Sequence, residues 1–318
     1  MTMSKNFLTT SLSSAALLIS LQGCTSAYES NEVASTQTSP VTEEAQAVAA
    51  LPSGPAMWKV SDDDTTIYLF GTVHALPPEV EWMSPAIESA LDSSDTLVTE
   101  IDAASMSAPE TQQIVGAKAL DTTGVTLRSQ LSAEQVTTYE AAMTSVGVPV
   151  NAFDGFKPWF AGMTLSVLPL MKAGYSPESG VEMVIESRAG EEMTREALET
   201  VEFQIGVFDG LPRDSQVEFL MATAEAVDEI PTMVDAMVTE WVEGDADGLA
   251  AIMNEGLTDP QLAEALLYSR NRNWADWVEA RMDTPGTVFI AVGAGHLAGE
   301  NSLQDYLAER GIVSDRIQ

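Results

Sequence analysis

Two short apolar runs near opposite ends of the chain lead into the same four-residue turn, and this constrains the fold more than any other feature. Ile67-Tyr68-Leu69-Phe70 runs into Gly71-Thr72-Val73-His74, and Val288-Phe289-Ile290-Ala291-Val292 runs into Gly293-Ala294-Gly295-His296. Short, continuously apolar runs suit strands buried on both faces of a sheet. A third run of this kind spans 96–101. Residues 57–60 and 65–70 flank Ser61-Asp62-Asp63-Asp64, whose side chains suit a turn, so a hairpin is expected there. Ser84 followed by Pro85 reads as the start of a helix running to about Ser93. From roughly Pro109 to Met282 the pattern is almost wholly helical. Ser132-Ala133-Glu134-Gln135 is a capping box for a helix to about Ser145, and further helices are expected over 158–173, 180–188, 214–226, 230–243, 247–254 and 259–281. Strands at both ends with helices between them predict an α/β (or α+β) fold. Its central sheet is built from N- and C-terminal strands, with a large helical insertion.

The first 55 residues read differently. Lys5 precedes an apolar stretch over 7–21, too short and too rich in Ser and Thr for a spanning helix, so 1–23 reads as an export signal. It ends in Leu21-Gln22-Gly23-Cys24, which resembles the lipobox of a bacterial lipoprotein, with Gln22 an unusual member; an ordinary signal peptide with an incidental Cys is the other reading. Cys24 is the one cysteine of the chain, which excludes an internal disulfide and a Cys-rich metal site. Residues 24–55 are Ser, Thr, Glu, Gln, Ala and Pro with almost no large apolar side chain, the composition of a tether, and the folded domain is expected over 56–318. The implied location is the bacterial cell envelope, periplasm-facing, with membrane attachment through lipid on Cys24. In a bacterium with two membranes, Thr25 after the Cys, in place of Asp, favours the outer one.

Charge narrows the partners. Lys plus Arg number 14 against 48 Asp plus Glu, a formal net charge of −34. Such a surface argues against nucleic acid, whose binding needs cations to neutralise phosphates, and against a polybasic membrane patch. Its plainest role is to keep the surface solvated.

The duplicated turn carries the chemistry. A strand of a parallel sheet delivers its C-terminal loop to the edge where ligands gather, and a Gly there lets backbone approach closely. His74 and His296, 222 positions apart, are the two histidines of the whole chain, and both stand in this context. Two imidazoles and Glu100, at the end of the third run, make a common open ligand set for a divalent metal, leaving a position for water. The plainer alternatives are hydrogen-bonded turn histidines and a carboxylate used as a cap or ion-pair partner.

Several stretches in order, over roughly Ala56 to Ile312, resemble the TraB/GumN family, which includes the Tiki metalloproteases. They are Met57-Trp58-Lys59-Val60 with the first Gly-x-x-His strand, Leu97 to Asp102, Lys157-Pro158-Trp159, Gly180-Val181-Glu182, Leu198-Glu199-Thr200 with Gln204, Arg270-Asn271-Arg272-Asn273-Trp274, and Ala291 to Gly299. The resemblance implies a fold shared with erythromycin-esterase-like and ChaN-like proteins. It also implies metal-dependent peptide cleavage at His74, His296 and Glu100, with Mn²⁺ or Co²⁺ as the type of metal and Zn²⁺ as a further option. Many members have Asp where this chain has Glu182, which leaves that residue between a ligand and a supporting role. Glu199 is a candidate general base. Arg270 and Arg272 are candidate clamps for an oxyanion or substrate carboxylate, or else partners of the abundant acids. The expectation is a metal-dependent hydrolase, foremost a protease or peptidase. The competing readings are a non-catalytic envelope lipoprotein that binds a peptide, small ligand or metal, and an esterase-like hydrolase of a small substrate.

Overall fold

The structure is a computed structural model and describes residues 53–256 and 260–318; the expected export signal, Cys24 and nearly all of the tether lie outside the described residues. Six strands form one sheet: β1 (Met57–Ser61), β2 (Thr65–Thr72), β3 (Thr96–Thr99), β4 (Thr194–Ala197), β5 (Gly286–Gly293) and β6 (Asp315–Arg316). Their order is β4-β3-β5-β2-β1-β6. β2, β5, β3 and β4 are mutually parallel neighbours, and the antiparallel β1 and β6 complete the other side. The sheet is therefore mixed, with strands from both ends of the chain, and most of the helical residues lie between β3 and β5.

The helices are α1 (Pro85–Asp92), α2 (Ala103–Ser107), α3 (Pro109–Ala119), α4 (Ala133–Ser145), α5 (Pro158–Lys172), α6 (Val181–Arg188), α7 (Val201–Asp209), α8 (Arg213–Ala226), α9 (Ile230–Glu243), α10 (Ala246–Gly256), α11 (Pro260–Ala263), α12 (Ser269–Arg281) and α13 (Leu303–Glu309). The local signals work as expected. Ser84 accepts from Ile87 N–H at the start of α1, and Ser132 with Gln135 closes a capping box on α4. Between α11 and α12 lies one π-helical segment, Glu264–Tyr268, just ahead of Arg270.

Two corrections concern the helical stretch. β4 interrupts it, and β6 follows β5 as the last strand of the chain. Thr194–Ala197 (Thr-Arg-Glu-Ala) has neither apolar alternation nor β-branched enrichment, because it is a sheet edge with alternately exposed and half-buried side chains. It is a strand because the β3 backbone offers it a ladder, not because its side chains ask for one. α7 is a further helix outside the expected spans.

Alternation along the strands feeds two apolar layers. Met57, Phe70, Leu97 and Phe289 pack on one face against α1, α6, α9 and α10, with Trp82 and Trp241 beside Phe70. Ile67, Leu69, Val98, Val288, Ile290 and Val292 pack on the other face with Trp274, Val278 and Leu307 of α12 and α13. Burial on both faces explains why the parallel strands read as unbroken apolar runs. A satellite core joins α4, α5 and α8 around Tyr139, Leu165 and Leu220. Another closes on Trp159, which is fully buried near the start of α5.

Candidate functional site

β5 is central, with β2 on one side and β3 on the other, all parallel. Thr72 pairs with Gly293 and Thr99 with Ala291, so the segments after these three strands leave the sheet at one edge. This topology brings His74, His296 and Glu100 to a common region. Glu100 Oε1 accepts from Gly293 N–H at 2.7 Å and lies 3.9 Å from His296 Nε2. A Cβ at Gly293 would sit 3.1 Å from that same carboxylate oxygen, so the glycine of the second turn is what admits Glu100.

The first imidazole is held by α6. His74 Nδ1 lies 2.6 Å from Glu182 Oε1, and the same oxygen accepts from the Thr72 hydroxyl. A carboxylate accepts only, so Nδ1 carries the proton. Burial disfavours the charged ring, but the charge and hydrogen bond of Glu182, helped by Glu100, overcome it and raise His74 to about 9. Glu182 is held below the ordinary carboxylate value: burial opposes its charge, and His74 and Thr72 outweigh burial. His74 Nε2 is buried and has no hydrogen-bond partner in the described chain. The backbone contact behind this pair is tight. A Cβ at Gly180, ahead of α6, would lie 2.2 Å from His74 O, so glycine is required for α6 to reach this turn.

The second imidazole is held by α12. Asn271 Oδ1 is 2.5 Å from His296 Nδ1, and Arg270 Nη1 is 3.1 Å from Nε2. A guanidinium donates only, so Nε2 accepts and Nδ1 donates to Asn271. Burial, then the adjacent Arg270, holds His296 well below the usual histidine value, which keeps it neutral. Trp274 packs on the ring with centroids 4.2 Å apart.

Arg270, 2% exposed, is the hub. Its Nε and Nη2 form a fork to Glu199 at 2.7 and 2.8 Å, Nη2 also donates to Glu100 at 2.6 Å, and Nη1 donates to Leu266 O at 3.0 Å in the π-helical segment. With the His296 contact, all five N–H groups are used inside the protein. Arg270 thus ties Glu100, Glu199 and His296 together, and a substrate clamp there would have to break one of these contacts. Arg272 is not part of the cluster. Its side chain is 41% exposed, pairs with Glu264 and lies over the Tyr306 ring, because residues two apart on a helix point in different directions. Glu199 is brought in, and its oxygens accept from Arg270, Gln204 and Trp274 Nε1.

Among the described residues, no group of three or more His, Cys, Asp or Glu stands ready to hold a metal ion. Glu182 lies on the Nδ1 side of His74, a placement that orients the ring and does not add a ligand to Nε2. The donor chemistry nonetheless suits a divalent cation. Both imidazoles have Nδ1 tied to an oxygen, the arrangement that prepares Nε2 for a metal. Arg270 pairs with Glu100 and Glu199, and a protonated His74 pairs with Glu182, so two cationic groups meet three carboxylates and one negative charge is left over. The buried, unpartnered His74 Nε2 is the atom a cation would take, in exchange for the proton that the raised pKa leaves there at neutral pH.

Thr72, Gln204, Asn271 and Trp274 join the cluster without having been singled out as site residues. The spacing of Arg270 and Trp274, four residues apart on a helix, was the available signal for one of them.

The chain is similar in sequence to several known proteins. The uncharacterized protein YbaP of Escherichia coli (strain K12) is 23% identical over 269 residues, covering 81% of this chain and 96% of its own length. YbaP of Shigella flexneri is 24% identical, covering 76% and 87%. An uncharacterized protein of Treponema pallidum (strain Nichols) is 20% identical, covering 80% and 81%. No solved structure matches significantly. The family model described as TraB/PrgY/gumN matches residues 56–316, which span the sheet, the insertion and both Gly-x-x-His turns, and the chain therefore belongs to the TraB/PrgY/gumN family.

Proposed function

We propose that the protein is a metal-dependent hydrolase of the bacterial cell envelope, foremost a protease or peptidase. The observation that carries this reading is the matched preparation of two remote imidazoles, Nδ1 to Glu182 in one and to Asn271 in the other, beside an excess of carboxylate. His74, His296 and Glu100 would hold the cation, with Mn²⁺ and Co²⁺ the first candidates and Zn²⁺ next. When bound, such an ion polarises a carbonyl and makes water acidic enough to attack at neutral pH. The remaining work belongs to the chain. Glu182 holds the Nδ1 proton of His74 and fixes the ring. Asn271 and Trp274 do the same for His296. Arg270 offsets Glu100 and Glu199, so that two carboxylates can share one buried region. A peptide or a small ester is the substrate class, and lipid on Cys24 places the domain at the membrane.

The saturation of Arg270 and Glu199, with Nη1 already at His296 Nε2, favours a second reading: a binding lipoprotein without turnover. One experiment separates the two. Purified tag-free protein is titrated calorimetrically with Mn²⁺, Co²⁺ and Zn²⁺, then assayed on labelled casein, fluorogenic peptides and simple esters. Cleavage that is abolished by chelator and by His74→Ala supports the hydrolase. Stoichiometric metal uptake with no turnover on any substrate establishes the binding protein instead. Absence of both uptake and turnover refutes the metal reading. For the anchor, the mass of the mature N-terminus decides: a terminus away from Cys24 with no lipid ends that assignment.

A further inference from the structure

We infer that Gln204 positions the attacking water of the hydrolysis proposed above, accepting one of its O–H bonds at Oε1. The inference rests on that hydrolase reading but on separate atoms. Gln204 lies on the first turn of α7, where Thr200 accepts from Phe203 N–H and fixes the start of the helix. Its side chain is 4% exposed. The Nε2 group donates to Glu100 Oε2 and Glu199 Oε2, both at 2.9 Å. Two carboxylates accept and never donate, so the carboxamide cannot turn over without placing Oε1 against two negative oxygens. The orientation is thereby fixed by chemistry, and Oε1 is left as a buried acceptor with no donor in the described chain.

A buried carbonyl oxygen without a donor is costly, and native proteins satisfy such groups with ordered water where the chain supplies nothing. The place is the relevant one. Glu100, one contact away from Gln204, is the carboxylate whose other oxygen stands 3.9 Å from His296 Nε2. A structural brace between Glu100 and Glu199 needs the Nε2 protons alone. The acceptor facing away from them has a use only if something that donates arrives from outside the chain. A water held there keeps its lone pair for attack on the carbonyl carbon, and its second proton passes to the leaving amine or alkoxide as the C–N or C–O bond breaks.

The test has one arm that needs no turnover. A crystal structure of the substrate-free protein, fine enough to show ordered solvent, is expected to place a water within hydrogen-bond distance of Gln204 Oε1. An Oε1 that is dry, or that contacts a bound ion, overturns the inference. The second arm is Gln204→Met, which keeps volume and removes both polar atoms. On a fluorogenic peptide cleaved in the panel above, kcat is expected to fall on the order of 10- to 100-fold with KM unchanged, as for a misplaced reactant. An unchanged kcat of the folded fraction overturns the inference. If Gln204→Met does not fold, the wild-type solvent structure still decides. If no substrate is ever cleaved, the hydrolase reading fails by its own test, while the solvent arm reports on Gln204 independently.

Discussion

Replacing Glu182 by Gln keeps the shape of the side chain and an acceptor for His74 Nδ1–H, and removes the charge. In the wild-type protein without metal, burial pushes the His74 ring down, and the Glu182 carboxylate more than reverses that, to about 9. The rise from the ordinary 6.5 corresponds to about 3 kcal/mol of folding stability. The folded value lies above the unfolded one, so this contribution is complete below pH 6.5 and is lost as pH climbs through about 9. Glu182→Gln should abolish it, because burial and the nearby Arg270 then act on His74 with less opposition. Urea denaturation in chelator, at about pH 6 and about pH 10, should show a wild-type advantage on the order of 3 kcal/mol that shrinks toward zero. Glu182 itself, held below its ordinary value, stays ionised throughout this range, and the remaining titrations are common to both proteins and cancel in the difference. Imidazole NMR reports the same event directly, since the chain has two histidines. One ring should titrate near 9 and move down in Glu182→Gln, while His296 stays neutral well below 6.5. A wild-type His74 titrating at its ordinary value, or an advantage that does not shrink with pH, would refute the reasoning.

The remaining predictions test neighbouring contacts. Arg270→Met removes the guanidinium facing two buried carboxylates and should cost about 3–5 kcal/mol in urea denaturation, whereas Arg272→Ala, at an exposed pair, should cost about 1 kcal/mol or less. Trp274→Phe keeps a ring beside His296 and deletes the Nε1–H donated to Glu199 at 3.0 Å. It should cost about 1–2 kcal/mol, measured the same way. Gly180→Ala forces a Cβ against His74 O. A loss of about 1–3 kcal/mol together with displaced His74 resonances is expected, and unchanged resonances would mean that α6 does not hold this turn.

Sequence pattern carried the sheet and the two turns because both depend on local signals. Apolar runs declare strands buried on two faces, and Ser84-Pro85 and Ser132 with Gln135 declare helix starts through hydrogen bonds within four residues. β4 escaped because an edge strand takes its order from the neighbouring ladder and leaves little trace in its own side chains. Arg270 and Arg272 looked equivalent in sequence, two cations in one short run. Tertiary packing separated them, burying one among Glu100, Glu199 and His296 and leaving the other on the surface.

Local pattern alone dictates that the chain folds around strands from both its ends and that its two histidines share one context. Which nitrogen of each ring points inward, that Glu182 supports His74 from the Nδ1 side, and that one guanidinium ties two carboxylates together were decided by the tertiary structure alone. The physical reason is range. Periodicity and capping are settled within a few residues, whereas a proton's position on His74 or His296 is set by whichever donor or acceptor the fold carries in from elsewhere. Those partners come from α6 and α12, and the sequence order of these elements does not say which ring each will meet.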